Sequence, residues 1–242
     1  MSPLLLVLIT AIRFLSPTFS PEGKQSVISH ETWNLLLSKC MIAGGKVNYR
    51  AFVAKKTELQ SYLEMLQQNP PQTNWSRYEK MAYWINAYNA FTVKLVVDHY
   101  PINSIRDLNN GNPWDNEFLS IGDKKYSLNN IENDMLRKQF TDARIHFAVN
   151  CASQSCPRLF NQAFTAENVD KQLTQLAKEF INDPAKNKIN ADKAEVSQIF
   201  NWYKDDFTKT GTLADFLNTY STTKINSTAA ISFLEYDWSL NE

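Results

Sequence analysis

Residues 83–90 read Tyr83-Trp84-Ile85-Asn86-Ala87-Tyr88-Asn89-Ala90, inside a run from Trp75 to His99 that holds no proline or glycine until Tyr100-Pro101 closes it. Trp84, Tyr88, Phe91 and Leu95 recur at helical spacing as one stripe, while Tyr83, Ile85, Ala87, Ala90, Val93, Val96 and Val97 cover the other sides. A helix apolar nearly all round is buried, so this one is expected at the centre of the fold. Asn86 and Asn89 interrupt the pattern. Three apart, they share a face, and buried amides need partners. They could brace loops, or they could line a site and bind substrate by donating to an oxyanion.

The flanking segments place smaller elements around that helix. Helical spacing is expected over Thr32–Lys39, over Arg50–Gln68 (closed by Asn69-Pro70-Pro71), and over Asn129–Gln139, Asn168–Ile181 and Val196–Phe207. Phe118–Ile121 and Lys124–Ser127, joined by Gly122-Asp123, read as a β-hairpin. Ile145–Asn150 reads as a strand, and Gly44-Gly45 as a turn. No repeat or low-complexity linker divides the chain. The expected class is α+β: a single helix-rich domain over residues 21–242, with a small antiparallel sheet around the buried central helix.

Composition bounds the function. The 242 residues are 43% hydrophobic and 12% aromatic, enough for a substantial core. With 25 basic and 25 acidic residues there is no electrostatic footprint for nucleic acid. Six glycines and no Gly-rich loop exclude a phosphate cradle. Residues 3–15 are apolar apart from Thr10 and Arg13, too short a run to span a bilayer, which takes about 20 residues. They are expected to form an export signal within residues 1–20, although no basic residue precedes the run and no small-x-small cleavage site comes after it. The mature chain is then periplasmic or secreted, without a transmembrane span, in a compartment where cysteines can pair.

The chemistry concentrates in Arg144-Ile145-His146-Phe147-Ala148-Val149-Asn150-Cys151-Ala152-Ser153-Gln154-Ser155-Cys156-Pro157, which holds one of three histidines and two of three cysteines. A base and a soft nucleophile are the raw materials of covalent catalysis. On a strand, His146 and Asn150 share one face and Phe147 and Val149 the other. An unbroken strand would hold Cys151 about 16 Å from His146 at ~3.3 Å per residue, so the chain must turn near Asn150 for the two to meet. Cys156, beyond the polar turn, could return to His146; with Pro157 at a first helical position it would be an N-cap thiol of lowered pKa. The same spacing allows a Cys151–Cys156 disulfide. His146, Cys151 and Cys156 lack a fourth ligand at diagnostic spacing, so no metal is expected. Cys40, at an apolar helix end, reads as a buried small residue. Glu132 could orient the histidine as a triad carboxylate does, or form a capping box with Asn129.

Taken together, residues 83–90, Ile131-Glu132, residues 144–157 and the closing Tyr236-Asp237-Trp238-Ser239-Leu240-Asn241 resemble the domain-of-unknown-function family 547 (DUF547). The resemblance covers most of the chain after Trp33. It implies exported bacterial relatives and plant proteins carrying the domain at the C-terminus. It also implies a likeness to papain-type cysteine hydrolases, with Glu132, His146 and Cys151 as the acid, base and nucleophile. The order acid, His, Cys differs from papain's Cys, His, Asn, so a papain-like arrangement would be permuted. The family pattern favours Cys151 over Cys156, against the geometric preference, and both are kept.

Two functions are therefore expected to compete. One is an exported thiol-dependent hydrolase or acyl/peptidyl transferase acting on a peptide or small molecule without a cofactor. The other is a non-catalytic extracytoplasmic binding module with a structural Cys151–Cys156 disulfide. Thiol–disulfide exchange ranks last, because the spacing is not Cys-x-x-Cys.

Overall fold

The computed structural model describes residues 28–242, and the expected export signal lies outside the described residues. The central helix, α4 (Arg77–His99), starts at a capping box in which the Ser76 hydroxyl accepts from Glu79 N–H and the Glu79 carboxylate accepts from Ser76 N–H. From Met81 to Val93 every residue is buried, as are Leu95, Val96 and Val97. The helix is therefore covered on all sides, as its composition requires.

Its cover comes first from the N-terminal helices. α1 (Glu31–Cys40) packs on α2 (Tyr49–Ala54) and α3 (Lys56–Gln68), and these two pack on α4. The single helix expected over residues 50–68 is interrupted at Lys55, whose φ of −116° and ψ of 27° are not helical. That break lets Tyr49 and Phe52 on one side, and Leu59, Tyr62, Leu63 and Leu66 on the other, all reach the core.

The hairpin forms as expected: β1 (Leu119–Ile121) pairs antiparallel with β2 (Lys124–Tyr126), and Gly122 supplies a φ of +57° at the turn. Beyond it a π-helical segment, Asn130–Arg137, runs into α5 (Lys138–Phe140). The expected Asn129–Glu132 capping box is not its cap. Ser127 and Asn130 cap one another instead: the Asn130 side-chain oxygen accepts from Ser127 N–H at 2.9 Å, and Ser127 Oγ accepts from Asn130 N–H at 3.1 Å.

Two local expectations are corrected. Ile145–Asn150 is not a strand: Ala143–Phe147 forms a 3₁₀ turn, capped where Asp142 accepts from Arg144 N–H at 3.0 Å, and irregular chain succeeds it. A short buried apolar run does not distinguish strand from helix by its period. Nor is Val196–Phe207 one helix. Val196 ends strand β4 (Lys193–Val196), and two short turns come next, α7 (Ile199–Trp202) and α8 (Lys204–Phe207), separated at Tyr203. β4 pairs antiparallel with β3 (Lys188–Ile189) and, across a long stretch of sequence, parallel with β5 (Ala230–Phe233). The α6 helix (Val169–Ile181) and α9 (Leu213–Tyr220) complete the shell. The architecture is helix-rich α+β around a buried central helix, as expected, with the small antiparallel hairpin sheet joined by a second, three-stranded sheet of mixed direction. Among the described residues, no helix is long and apolar enough to cross a membrane.

His30, at the edge of this shell, is buried and lies 2.7 Å from the Tyr62 hydroxyl through Nδ1. Burial pulls its pKa down to about 4. The unfolded chain takes up that proton near pH 6.5, whereas the folded chain resists until about pH 4. The neutral ring's contribution is thus fully present above pH ~6.5 and is lost as the pH falls towards 4. Urea midpoints measured between pH 7 and 4 should fall more steeply for the native chain than for His30→Gln, and equal slopes would refute this assignment.

Candidate functional site

The 3₁₀ turn delivers His146 to the interior, and α4 fixes the course of the chain beyond it. The Asn89 amide spans two backbone groups: its Nδ2 donates to Ala148 C=O at 2.9 Å and its Oδ1 accepts from Asn150 N–H at 2.8 Å. Asn150 then uses its own amide locally, donating to Pro157 C=O at 2.7 Å and accepting from Ala152 N–H at 3.0 Å. Ala152 takes a left-handed φ of +61°, rare for a residue with a Cβ. The chain therefore reverses sharply after Asn150. A turn in which Cys156 N–H donates to Ser153 C=O, at 3.1 Å, brings the second cysteine back to the first.

The two sulfurs lie 2.8 Å apart, and Cys156 Sγ also accepts from Cys151 N–H at 2.8 Å. The residues directly after Pro157 are not helical, so the expected N-cap role of Cys156 is absent and its partners are Cys151's sulfur and backbone. The C-terminal tail closes the site. Tyr236 OH lies 3.2 Å from both Cys151 Sγ and Ser153 Oγ, Gln154 N–H donates to Ser239 C=O at 2.8 Å, and Ser155 N–H donates to Asp237 C=O at 3.1 Å.

These partners separate the two thiols. Burial pushes the Cys151 thiol up, but hydrogen bonds from Cys156, Ser153 and Tyr236 outweigh it and hold the thiol below its ordinary value. Cys156 is pushed well above the usual thiol range by burial and by its bond to Cys151. Of the two, Cys151 is the sulfur more readily ionised. Cys40 is buried at the end of α1, and burial raises its thiol as well.

His146 is 2% exposed, and its Nε2 lies 2.8 Å from Asp206 Oδ2. Its ring stacks on Tyr203 with centroids 4.0 Å apart. Asp206 is held far below the usual carboxylate range by His146, against the opposing effect of burial, with Arg137 Nε at 2.6 Å adding to the effect. An ionised carboxylate only accepts hydrogen bonds, so Nε2 carries the proton and Nδ1 is the free basic nitrogen.

The orienting partner expected for His146 was Glu132; Asp206 fills that place. Glu132 is nonetheless in the site. It is 5% exposed on the π-helical segment, beside Tyr203 in the cavity wall. That phenol is raised first by burial and then by the Glu132 charge. Glu132, His146, Cys151 and Cys156 all line one cavity of about 250 Å³. Asn86 and Asn89 do not line it. Asn86 donates to Phe164 C=O and accepts from Phe164 N–H, at 2.8 and 3.0 Å, so both amides of α4 brace loops. Among the described residues no cluster of three or more His, Cys, Asp or Glu is arranged to hold a metal ion.

Asp206, Tyr203 and Tyr236 were not picked out as site residues by the sequence. Tyr203 and Asp206 stand three apart in a segment that reads as an ordinary amphipathic helix, and only the long-range packing of α7 and α8 turns them to His146. Tyr236 sits in the closing block that carried the family resemblance.

Fold and site together define a helix-rich α+β domain built around a cavity lined by thiol, imidazole and carboxylate groups. Residues 72–181 match the family model described as protein of unknown function, DUF547, so the resemblance read from the sequence holds over that stretch. It includes α4, the hairpin, Glu132, His146 and both cavity cysteines. No curated protein and no solved structure matches the chain.

The clamp from α4 is open to direct measurement. Asn89→Ala leaves a buried N–H and a buried C=O without partners, at about 1–3 kcal/mol for each group. The substitution should lower stability by about 2–4 kcal/mol in urea unfolding; a loss below about 0.5 kcal/mol, the range of surface substitutions, would mean the loop is held by something else.

Proposed function

We propose that this chain is an exported thiol-dependent hydrolase or acyl/peptidyl transferase acting on a peptide or small-molecule substrate. Cys151 is the nucleophile. The observation that carries this reading is a partly exposed sulfur, held below the ordinary thiol pKa by three donors, in the same cavity as an imidazole fixed by an ionised carboxylate. Lowered thiol pKa and an oriented base are what nucleophilic catalysis by cysteine requires.

In the acyl-transfer step His146 Nδ1 takes the Cys151 proton, the thiolate adds to a carbonyl carbon, and a thioester forms as the bond to the leaving group breaks. His146 Nδ1 is the group suited to hand that leaving group its proton. Water, or a second nucleophile, then attacks the thioester and gives its proton to His146, which regenerates the thiolate. Asp206 keeps the ring in the working tautomer and stabilises its charged form. Cys156 and Tyr236 stabilise the thiolate between turnovers. Secretion into the periplasm or medium rests on the apolar residues 3–15.

Iodoacetamide labelling between pH 5 and 9 tests the nucleophile. At pH 7 Cys151 should alkylate roughly tenfold faster than free cysteine, because the thiolate fraction sets the rate. His146→Ala and Cys156→Ser should each move the profile to higher pH. A rate equal to that of free cysteine in all three proteins would end the catalytic reading.

The 2.8 Å between the sulfurs favours a second reading, a non-catalytic extracytoplasmic binding module in which Cys151 and Cys156 form a disulfide. Mass spectrometry of non-reduced peptides from protein recovered from an oxidising compartment separates the two. Catalysis requires the 151–156 pair to be found as free thiols, and a quantitative bridge would establish the binding module.

A further inference from the structure

Glu132 has no task in the acyl-transfer chemistry of Cys151 and His146, since Asp206 holds the imidazole. Yet it is a carboxylate, 5% exposed, on the wall of the same cavity. The group whose titration its charge affects most plainly is neutral, the Tyr203 phenol on the same wall. Among the described residues no Lys, Arg or His lies at ion-pair distance from it. A buried carboxylate without a cation is costly, and among the described residues no lysine or arginine lines the cavity to offset it.

The remaining wall is aromatic. Trp202, Tyr236 and Trp238 form a cluster with ring centroids 4.6–5.7 Å apart, and Trp114 lies 5.4 Å from Trp238. Trp202, at 47% exposure, stands where solvent enters. Aromatic faces attract cations, most strongly when water is excluded. Two rings of this wall already do so: Arg106 sits 5.3 Å from the Trp238 ring and Arg137 4.9 Å from Tyr203. Neither guanidinium lines the cavity.

We infer that the cavity takes a substrate bearing a primary ammonium group, seated on Glu132 and the Trp202–Tyr236–Trp238 wall, with its carbonyl presented to Cys151. At about 250 Å³ the space lies just below the usual ligand-site range of ~300–1,000 Å³ and holds one residue-sized group. An amino-terminal residue and a lysine-like side chain both carry that chemistry. The catalytic assignment of the carbonyl rests on Cys151 being the nucleophile, whereas the ammonium seat does not.

The test is calorimetric titration of Cys151→Ser protein, which lacks the nucleophile, with n-butylammonium and its neutral analogue n-butanol at pH 7. Butylammonium should bind at least tenfold more tightly than butanol. Glu132→Gln should remove that preference, and Trp202→Leu, a change at an exposed position, should weaken butylammonium binding several-fold without disturbing the fold. Alaninamide and Nα-acetyl-lysinamide then separate an amino-terminal amine from a side-chain one, and binding of either supports the inference. Equal affinity for butylammonium and butanol overturns it, whether or not Glu132→Gln folds. So does a folded Glu132→Gln protein with its preference intact. Ammonium preference in a protein whose Cys151 alkylates no faster than free cysteine would leave the seat standing and remove the catalysis. Fast alkylation without ammonium preference would do the reverse.

Discussion

The site depends on one side-chain amide. Asn89 is anchored on a helix with no solvent-facing side at that level, so its two hydrogen bonds to Ala148 and Asn150 are made where water cannot compete. That pair of bonds sets where the backbone leaves the 3₁₀ turn and where the reversal at Ala152 begins. Asn150 carries the constraint onward to Pro157 and Ala152, and accepts at 3.2 Å from Asn241 of the tail. Asn86 does the same one turn away for Phe164. A helix otherwise filled by Trp, Tyr, Ile and Ala thus exports order through the two polar residues that its composition makes conspicuous.

Two chemically distinct networks back the cavity wall. In one, sulfur, hydroxyl and phenol groups from Cys151, Cys156, Ser153 and Tyr236 share protons within a small volume. In the other, charge is layered: Arg137 and Lys209 meet Asp206, Asp206 meets His146, and the His146 ring lies against Tyr203. Tyr203 joins the layers, presenting its face to the imidazole and lining the cavity together with Glu132. This explains why a carboxylate three residues beyond Tyr203, on α8, holds the histidine in place of Glu132. The π-helical segment Asn130–Arg137 carries Glu132 buried on the cavity wall, and such segments occur often at functional sites.

Much of this was legible in the sequence. The burial of α4 follows from its all-round apolar surface, the hairpin from Gly122-Asp123, the grouping of His146, Cys151 and Cys156 from their rarity and clustering, and the place of Glu132 beside them from the family resemblance. The parts that were not legible depend on distant partners. Val196 reads equally well as helix or strand until β5, more than thirty residues later, supplies the ladder. Asp206 looks like a solvated acid until α8 packs beside the 3₁₀ turn. The segment 145–150 is apolar enough for a strand, but the Asn89 clamp bends it. In each case local periodicity was outweighed by a tertiary contact with no signature in the neighbouring residues.

Residues 236–241 do more than cover one end of the domain. Val47 N–H and Tyr49 OH bond Asn241, the Leu240 N–H reaches Asn103, and Ser239 and Asp237 accept from the cysteine loop. Tyr49 and Asn241 stand 192 positions apart. Contacts of such span close late, because the intervening chain must first be ordered. Before residues 236–241 dock, Cys151 is without the Tyr236 hydroxyl, one of the three side chains that hold its thiol down, and Gln154 and Ser155 are without their backbone acceptors. The geometry around Cys151 is thus completed from the far end of the sequence, so the cysteine loop takes its final form only once the whole domain has assembled.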